Sequence, residues 1–195
     1  LLGVTSRSNK HNYSEGIAIT SIVQIDKKTR IEPVRYPAGS SLMRFLSGPL
    51  VESSDGALSH LGKTLSSIFR RPADFFRSHI LPGWAQRTTI LLVMQTEDNH
   101  FRFRWGRDIF TLFKRNLVSL PDEHHTIPAK IEIGHQVTRK FAQMTNSIPA
   151  GTINEGLLNI PMTAHIVGGC RYGLNDQQGV VDLTCQIFNY PGAYV

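Results

Sequence analysis

Thr88-Thr89-Ile90-Leu91-Leu92-Val93-Met94-Gln95-Thr96 is an unbroken apolar run with polar ends. A run this short and continuous reads as a central β-strand, covered on both faces. Glu97-Asp98-Asn99-His100 then supplies a turn. After it, Phe101-Arg102-Phe103-Arg104-Trp105 alternates ring against cation. Period two places the rings on one face and the arginines on the other. Single-stranded nucleic acid needs exposed rings beside the cations, so a half-buried antiparallel strand is the more economical reading.

Upstream, residues 3–15 are polar and read as a loop, and Gly16 to Ile25, rich in β-branched residues, reads as a strand. Residues 26–29 form a turn, and residues 30–36 return as the second strand of a hairpin. Pro33 has no N–H to give a ladder, which puts it at a sheet edge or a bulge. Residues 40–87 read as helical. Leu58, Leu61, Leu65, Ile68 and Phe69 form an apolar stripe, with Ser54 or Asp55 as cap and Pro72 as stop. The stripe is expected to be core, the alternative being a lid and entry face for an apolar substrate.

Downstream, residues 106–126 read as a polar connector. His124-His125 has no third ligand at helical or hairpin spacing, so no metal site is expected. Pro128 opens a helix whose buried stripe is Ile133, Val137, Phe141 and Met144, ended by Asn146, Pro149 and Gly151. Strands interspersed with helices predict an α+β domain over residues 1–195: a mainly antiparallel sheet with helices packed on one side.

Composition narrows the function. The chain has 195 residues, 41% of them hydrophobic, enough for a substantial core. Lys and Arg outnumber Asp and Glu by 21 to 15, but the cations are spread out, and no nucleic-acid partner is expected. No stretch is apolar for long enough to span a membrane stably. Two cysteines, Cys170 and Cys185, are too few for a disulfide framework and read as buried free thiols, unless neighbouring strands bring them close. Asn12-Tyr13-Ser14 fits a glycosylation acceptor. The compartment stays open between cytoplasmic, secreted and peripheral-membrane.

The chemistry concentrates near the end. Thr163-Ala164-His165-Ile166-Val167-Gly168-Gly169-Cys170-Arg171-Tyr172-Gly173 brings one histidine up to two adjacent glycines. Those glycines can take positive φ and let a backbone or a flat ligand approach. His165 is a proton-transfer candidate, or else a hydrogen-bonded core histidine before a tight turn. Gly179-Val180-Val181-Asp182 and Asn189-Tyr190-Pro191-Gly192 follow.

In this order and spacing, the segments resemble the C-terminal region of the glucose–methanol–choline (GMC) flavoprotein oxidoreductases, in their cholesterol-oxidase-like branch. The resemblance is densest from Leu157 onward and looser over 88–104 and 2–39. It implies an FAD-dependent oxidoreductase whose substrate is a sterol, such as a 3β-hydroxysteroid, or another bulky or long-chain alcohol. His165 would take the hydroxyl proton, and Gly168, Gly169 and Cys170 would lie along the FAD ring.

Glu32, five residues before Pro37-Ala38-Gly39, matches a family glutamate that relays a proton during double-bond isomerisation. Read without the resemblance, Glu32 is a surface carboxylate paired with Arg30 or Arg35. No Gly-x-Gly-x-x-Gly turn is present, and the family's further Asp-Gly-Ser segment and second catalytic residue are not found. The expectation is therefore a substrate-binding domain fragment. Residues from about 175 to 195 would lead back to a missing FAD-binding domain, with no FAD bound to the fragment alone. The rival from another class is a basic binding module with no chemistry.

Overall fold

In the computed structural model, residues 2–51, 57–108, 111–122, 124–125, 127–128, 130–155 and 168–195 are described. They fall into two compact units, Leu1–Met162 and Thr163–Val195.

The first unit is α+β and mainly antiparallel. Its strands are β1 (Leu2–Ser6), β2 (Val23–Gln24), β3 (Thr29–Val34), β4 (Ser47–Pro49), β5 (Thr88–Gln95) and β8 (Ser147–Thr152), in the spatial order β2-β3-β5-β1-β8-β4. Every neighbouring pair is antiparallel. A separate ribbon pairs β6 (Phe101–Gly106) with β7 (Asn116–Pro121). The helices are α1 (Ala57–Arg70), α2 (Pro72–Phe75) continued by a π turn at Phe76–Ile80, α3 (Trp84–Arg87) and α4 (Glu132–Met144), with a 3-10 helix at Ala38–Leu46.

β5 takes the expected interior place, between β3 and β1. Its other neighbour was not expected: residues 3–6, read as loop, are strand β1, buried along its length. Thr5 and Ser6 looked like loop residues, yet the Thr5 and Thr88 hydroxyls meet across the ladder at 2.9 Å. A polar side chain enters a sheet centre when its partner satisfies it. The hairpin is present, turned by Asp26 Oδ1 accepting from the Lys28 and Thr29 amides. Its outer strand is shorter than expected. β2 pairs only as far as Val23↔Ile31, then contact resumes at Ile19↔Val34. The break lies opposite Glu32 and Pro33, where proline has no N–H to offer.

Strand alternation sorts the sheet into two faces. One carries Leu2, Val4, Ile31 and Leu91, and α4 lies on it, adding Ala142 and Val137. The helix comes close because its buried positions are small: Gly134, Thr138 and Ala142. A Cβ on Gly134 would stand 3.0 Å from Leu2 Cδ1 and Val93 Cγ2. The expected stripe is therefore displaced, with Phe141 and Met144 facing out. The helix also starts at Glu132 rather than Pro128.

Three further readings change. Leu61, Leu65 and Phe69 of α1 are exposed, Phe69 at 80%, so the stripe is not core. Among the described residues, α1 packs chiefly against α2 and β4. The caps Ser54 and Asp55 lie outside the described residues. The 106–126 connector contains β7, whose ladder partner β6 is mostly exposed rather than half-buried. Residues 147–152, taken as a helix end, form β8 and slot between β1 and β4.

The second unit is held by turns and isolated bridges centred on Val181, which is 2% exposed and pairs with Tyr172 and Ile187. A Cβ on Gly173 or on Gly179 would run into the other's backbone, so both must be glycine. Asp182 Oδ1 caps the next turn, accepting from Thr184 Oγ1 at 2.7 Å and from the Thr184 and Gln186 amides. These bonds, the Thr184 hydroxyl foremost, hold its pKa below the usual carboxylate value.

Candidate active site

The sheet face opposite α4 carries Glu32, Val34, Ile90, Leu92 and Met94, all half-buried. No described helix covers these residues as α4 covers the other face. Towards the β1–β8 side, Trp84 of α3 and Met43 and Leu46 of the 3-10 helix border a shallow apolar cleft, with Tyr36, Ile90 and Ala150 completing its wall. The indole of Trp84 is buried, and its Nε1 has no hydrogen-bond partner among the described residues.

Glu32 stands in register with Leu92, flanked on the same face by Val34 and Ile90. Neither expected surface partner takes it. Arg30 Nε donates to Gln24 Oε1 at 2.9 Å, and Arg35 Nη1 donates to the Glu15 carbonyl at 3.0 Å. Among the described residues, the Glu32 carboxylate has no hydrogen-bond or ion-pair partner. A half-buried carboxylate without one is costly unless something else uses it. Such an apolar sheet face with one free carboxylate can receive a flat, water-poor molecule and exchange a proton with it.

His79, which the sequence did not single out, lies at one border of the cleft. Its Nε2 is 3.1 Å from the carbonyl of Ser47, a residue of the cleft wall, and its ring stacks on Phe75 at 4.6 Å. Burial pushes its pKa below the ordinary imidazole value, against a smaller upward pull from the Ser47 and Phe75 carbonyls. His79 falls within the 40–87 stretch read as helical, and only the contact with Ser47 sets it apart.

His165, the central expectation from the sequence, lies outside the described residues. The glycines after it are described. Gly168 has φ +88°, the left-handed region that suits glycine, whereas Gly169 does not. At neither position would an added Cβ have a neighbour within 4 Å. Cys170 is exposed rather than buried, and Cys185 Sγ sits 3.1 Å from the Tyr172 hydroxyl, so the two cysteines form no disulfide.

The histidine pair gains neighbours from outside its own segment. The structure brings His100 and Asp98 of the turn after β5 up to His125, ligands that sequence spacing did not supply.

Among known proteins, no family model and no solved structure matches the chain. Curated proteins do. The relatives are cholesterol oxidases. Over its whole length the chain is 35% identical to a cholesterol oxidase of Acinetobacter baumannii. It is 31% identical to cholesterol oxidases of two strains of Mycobacterium tuberculosis. The chain spans about a third of each relative, 34% and 36% of their lengths. These matches run over the whole chain, including residues 2–39 and 88–104, where the resemblance in the sequence is looser. No helix among the described residues is long and apolar enough to cross a membrane.

Proposed function

We propose that this chain is the substrate side of an FAD-dependent sterol oxidoreductase of the GMC type, converting a 3β-hydroxysteroid to its ketone. The FAD-binding domain would belong to the rest of the same protein. The observation that carries the proposal is the half-buried apolar face of β3 and β5 with the partnerless Glu32 on it, in a chain related over its whole length to cholesterol oxidases. A rigid, flat alcohol suits a surface made of Val34, Ile90, Leu92 and Met94. When bound, FAD would accept the hydride released from the carbinol carbon.

The chain's own residues would do the rest. The His165 imidazole, neutral near pH 7, would take the hydroxyl proton. Gly168 and Gly169, with Cys170 beside them, would let the backbone lie along the FAD ring where a Cβ would stand in the way. Glu32, in apolar surroundings, would carry a proton between two ring carbons and so move the steroid double bond. The sheet face would exclude water from the isomerisation step.

The test uses the intact enzyme. His165→Ala should lower turnover by about 100-fold or more while FAD absorbance is retained. Glu32→Gln should leave oxidation of a Δ5-steroid running while the unconjugated ketone accumulates. Undiminished turnover in the first variant, or unchanged products in the second, removes the corresponding role. Faster turnover of a long-chain aliphatic alcohol than of cholesterol would keep the chemistry and replace the substrate.

A further inference from the structure

The β6–β7 ladder ends at Phe101↔Pro121. The residues just outside that last rung, His100 and Asp122, are therefore held face to face. Asp122 is 6% exposed. Its carboxylate gathers both nearby imidazoles: His100 Nε2 lies 3.2 Å from Oδ2, and His125 Nδ1 lies 3.4 Å from Oδ1. The same carboxylate accepts from the His124 amide at 3.0 Å and pairs with Arg102 Nε at 3.2 Å. The two rings stack, with centroids 4.4 Å apart.

Asp122 engages one nitrogen of each ring, Nε2 of His100 and Nδ1 of His125. A buried carboxylate behind an imidazole is the usual outer support of a metal-bound histidine, fixing its tautomer and aim. The other nitrogen of His125, Nε2, lies 3.5 Å from Oδ2 of Asp98. That is at the limit for a hydrogen bond, but it is close to the spacing of two ligands around one tetrahedral ion with bonds of about 2.0–2.2 Å. One ligand atom from each of Asp98, His100 and His125 lies within 4.8 Å of the others. Asp98 is 90% exposed on its turn and can close the remaining gap.

We propose that Asp98, His100 and His125 form a binding site for a divalent transition metal, with Asp122 as the carboxylate that orients both imidazoles. Two imidazoles and one carboxylate select zinc-like ions over calcium or magnesium. With three protein ligands, the fourth position is left to water. The site joins the end of β5, in the large sheet, to the exit of β7, in the ribbon. A bound ion would therefore staple the ribbon's base to the sheet.

The test is titration of the whole metal-stripped chain with zinc by calorimetry, and with cobalt(II) by visible absorption. The expected result is one ion per chain, the absorption of a tetrahedral cobalt centre, and a raised melting temperature. Asp98→Asn and His125→Gln should each weaken binding at least about ten-fold, and Asp122→Asn about 10–100-fold. Because Asp98 is exposed, its substitution keeps the test readable even if Asp122→Asn fails to fold. Absence of saturable zinc and cobalt binding, or binding that survives both Asp98→Asn and His125→Gln, overturns the proposal. Neither outcome bears on the sterol oxidoreductase assignment, which concerns other residues.

Discussion

The two faces of the six-stranded sheet are built from the same strands and finished in opposite ways. Under α4, Gly134, Thr138 and Ala142 let the helix settle close onto Leu2 and Val93. On that side even a histidine is tucked in: His135, 2% exposed, is joined through Nε2 to Glu155 Oε1 at 2.5 Å. The other face leaves Val34, Ile90, Leu92 and Met94 half-buried, with Glu32 unpaired among them. One face resembles a finished core and the other resembles half of an interface. The contrast teaches that one sheet can close one face with small helix residues while, among the described residues, no helix closes the other.

That contrast can be broken, starting from the covered face. Glu155→Ala strips the buried His135 of its only partner at Nε2 among the described residues, beside an Nδ1 that has none among them. Urea denaturation should show a loss of about 3 kcal/mol. A loss near zero would mean that this face is less tightly closed than its geometry implies. Gly134→Val forces two methyl groups toward Leu2 and Val93, and should lower stability by about 2 kcal/mol in the same assay.

The open face should respond less. Leu92→Ala, at a half-buried position, is expected to remove about 1 kcal/mol. A loss as large as that of a fully buried leucine would show the face to be covered. His79 sharpens the comparison through pH. Its pKa is lowered on folding, so the unfolded chain takes up the proton first and stability falls as pH drops below the ordinary imidazole value. The melting temperature should therefore decline below pH of about 6.5, and His79→Gln should flatten that slope. Smallest of all, Glu32→Gln should change stability by less than about 0.5 kcal/mol, since no described partner is lost. A large loss would reveal a structural role and count against its place in the chemistry.

Some elements were legible because their pattern is local. The apolar run of β5, the 26–29 turn and the alternation at 101–105 could each be read within a few residues. β1, β7 and β8 could not. Thr5 counts as strand only once Thr88 satisfies it, and Pro149 sits in β8 because Val4 of β1 lies opposite. For α4 the helix was legible but its buried side was not: hydrophobicity pointed to Phe141 and Met144, whereas close packing selected the glycine and alanine. In the candidate site, Glu32 was reached through a resemblance, and Gly168 through its need for positive φ. His79 and the Asp98–His100–His125 group carried no usable signal, since their partners lie far off in the chain.

By itself the sequence determined the α+β class, the strand at the sheet's interior and a likeness to cholesterol oxidases. Those properties reside in neighbouring residues: side-chain period, turn chemistry and motif spacing. Only the tertiary structure decided which face of the sheet is closed, that Glu32 stands on the open one without a partner, and that two distant histidines share one buried carboxylate. Such facts depend on which surfaces meet across the fold, and a pairing between residues far apart along the chain leaves no periodic trace in it.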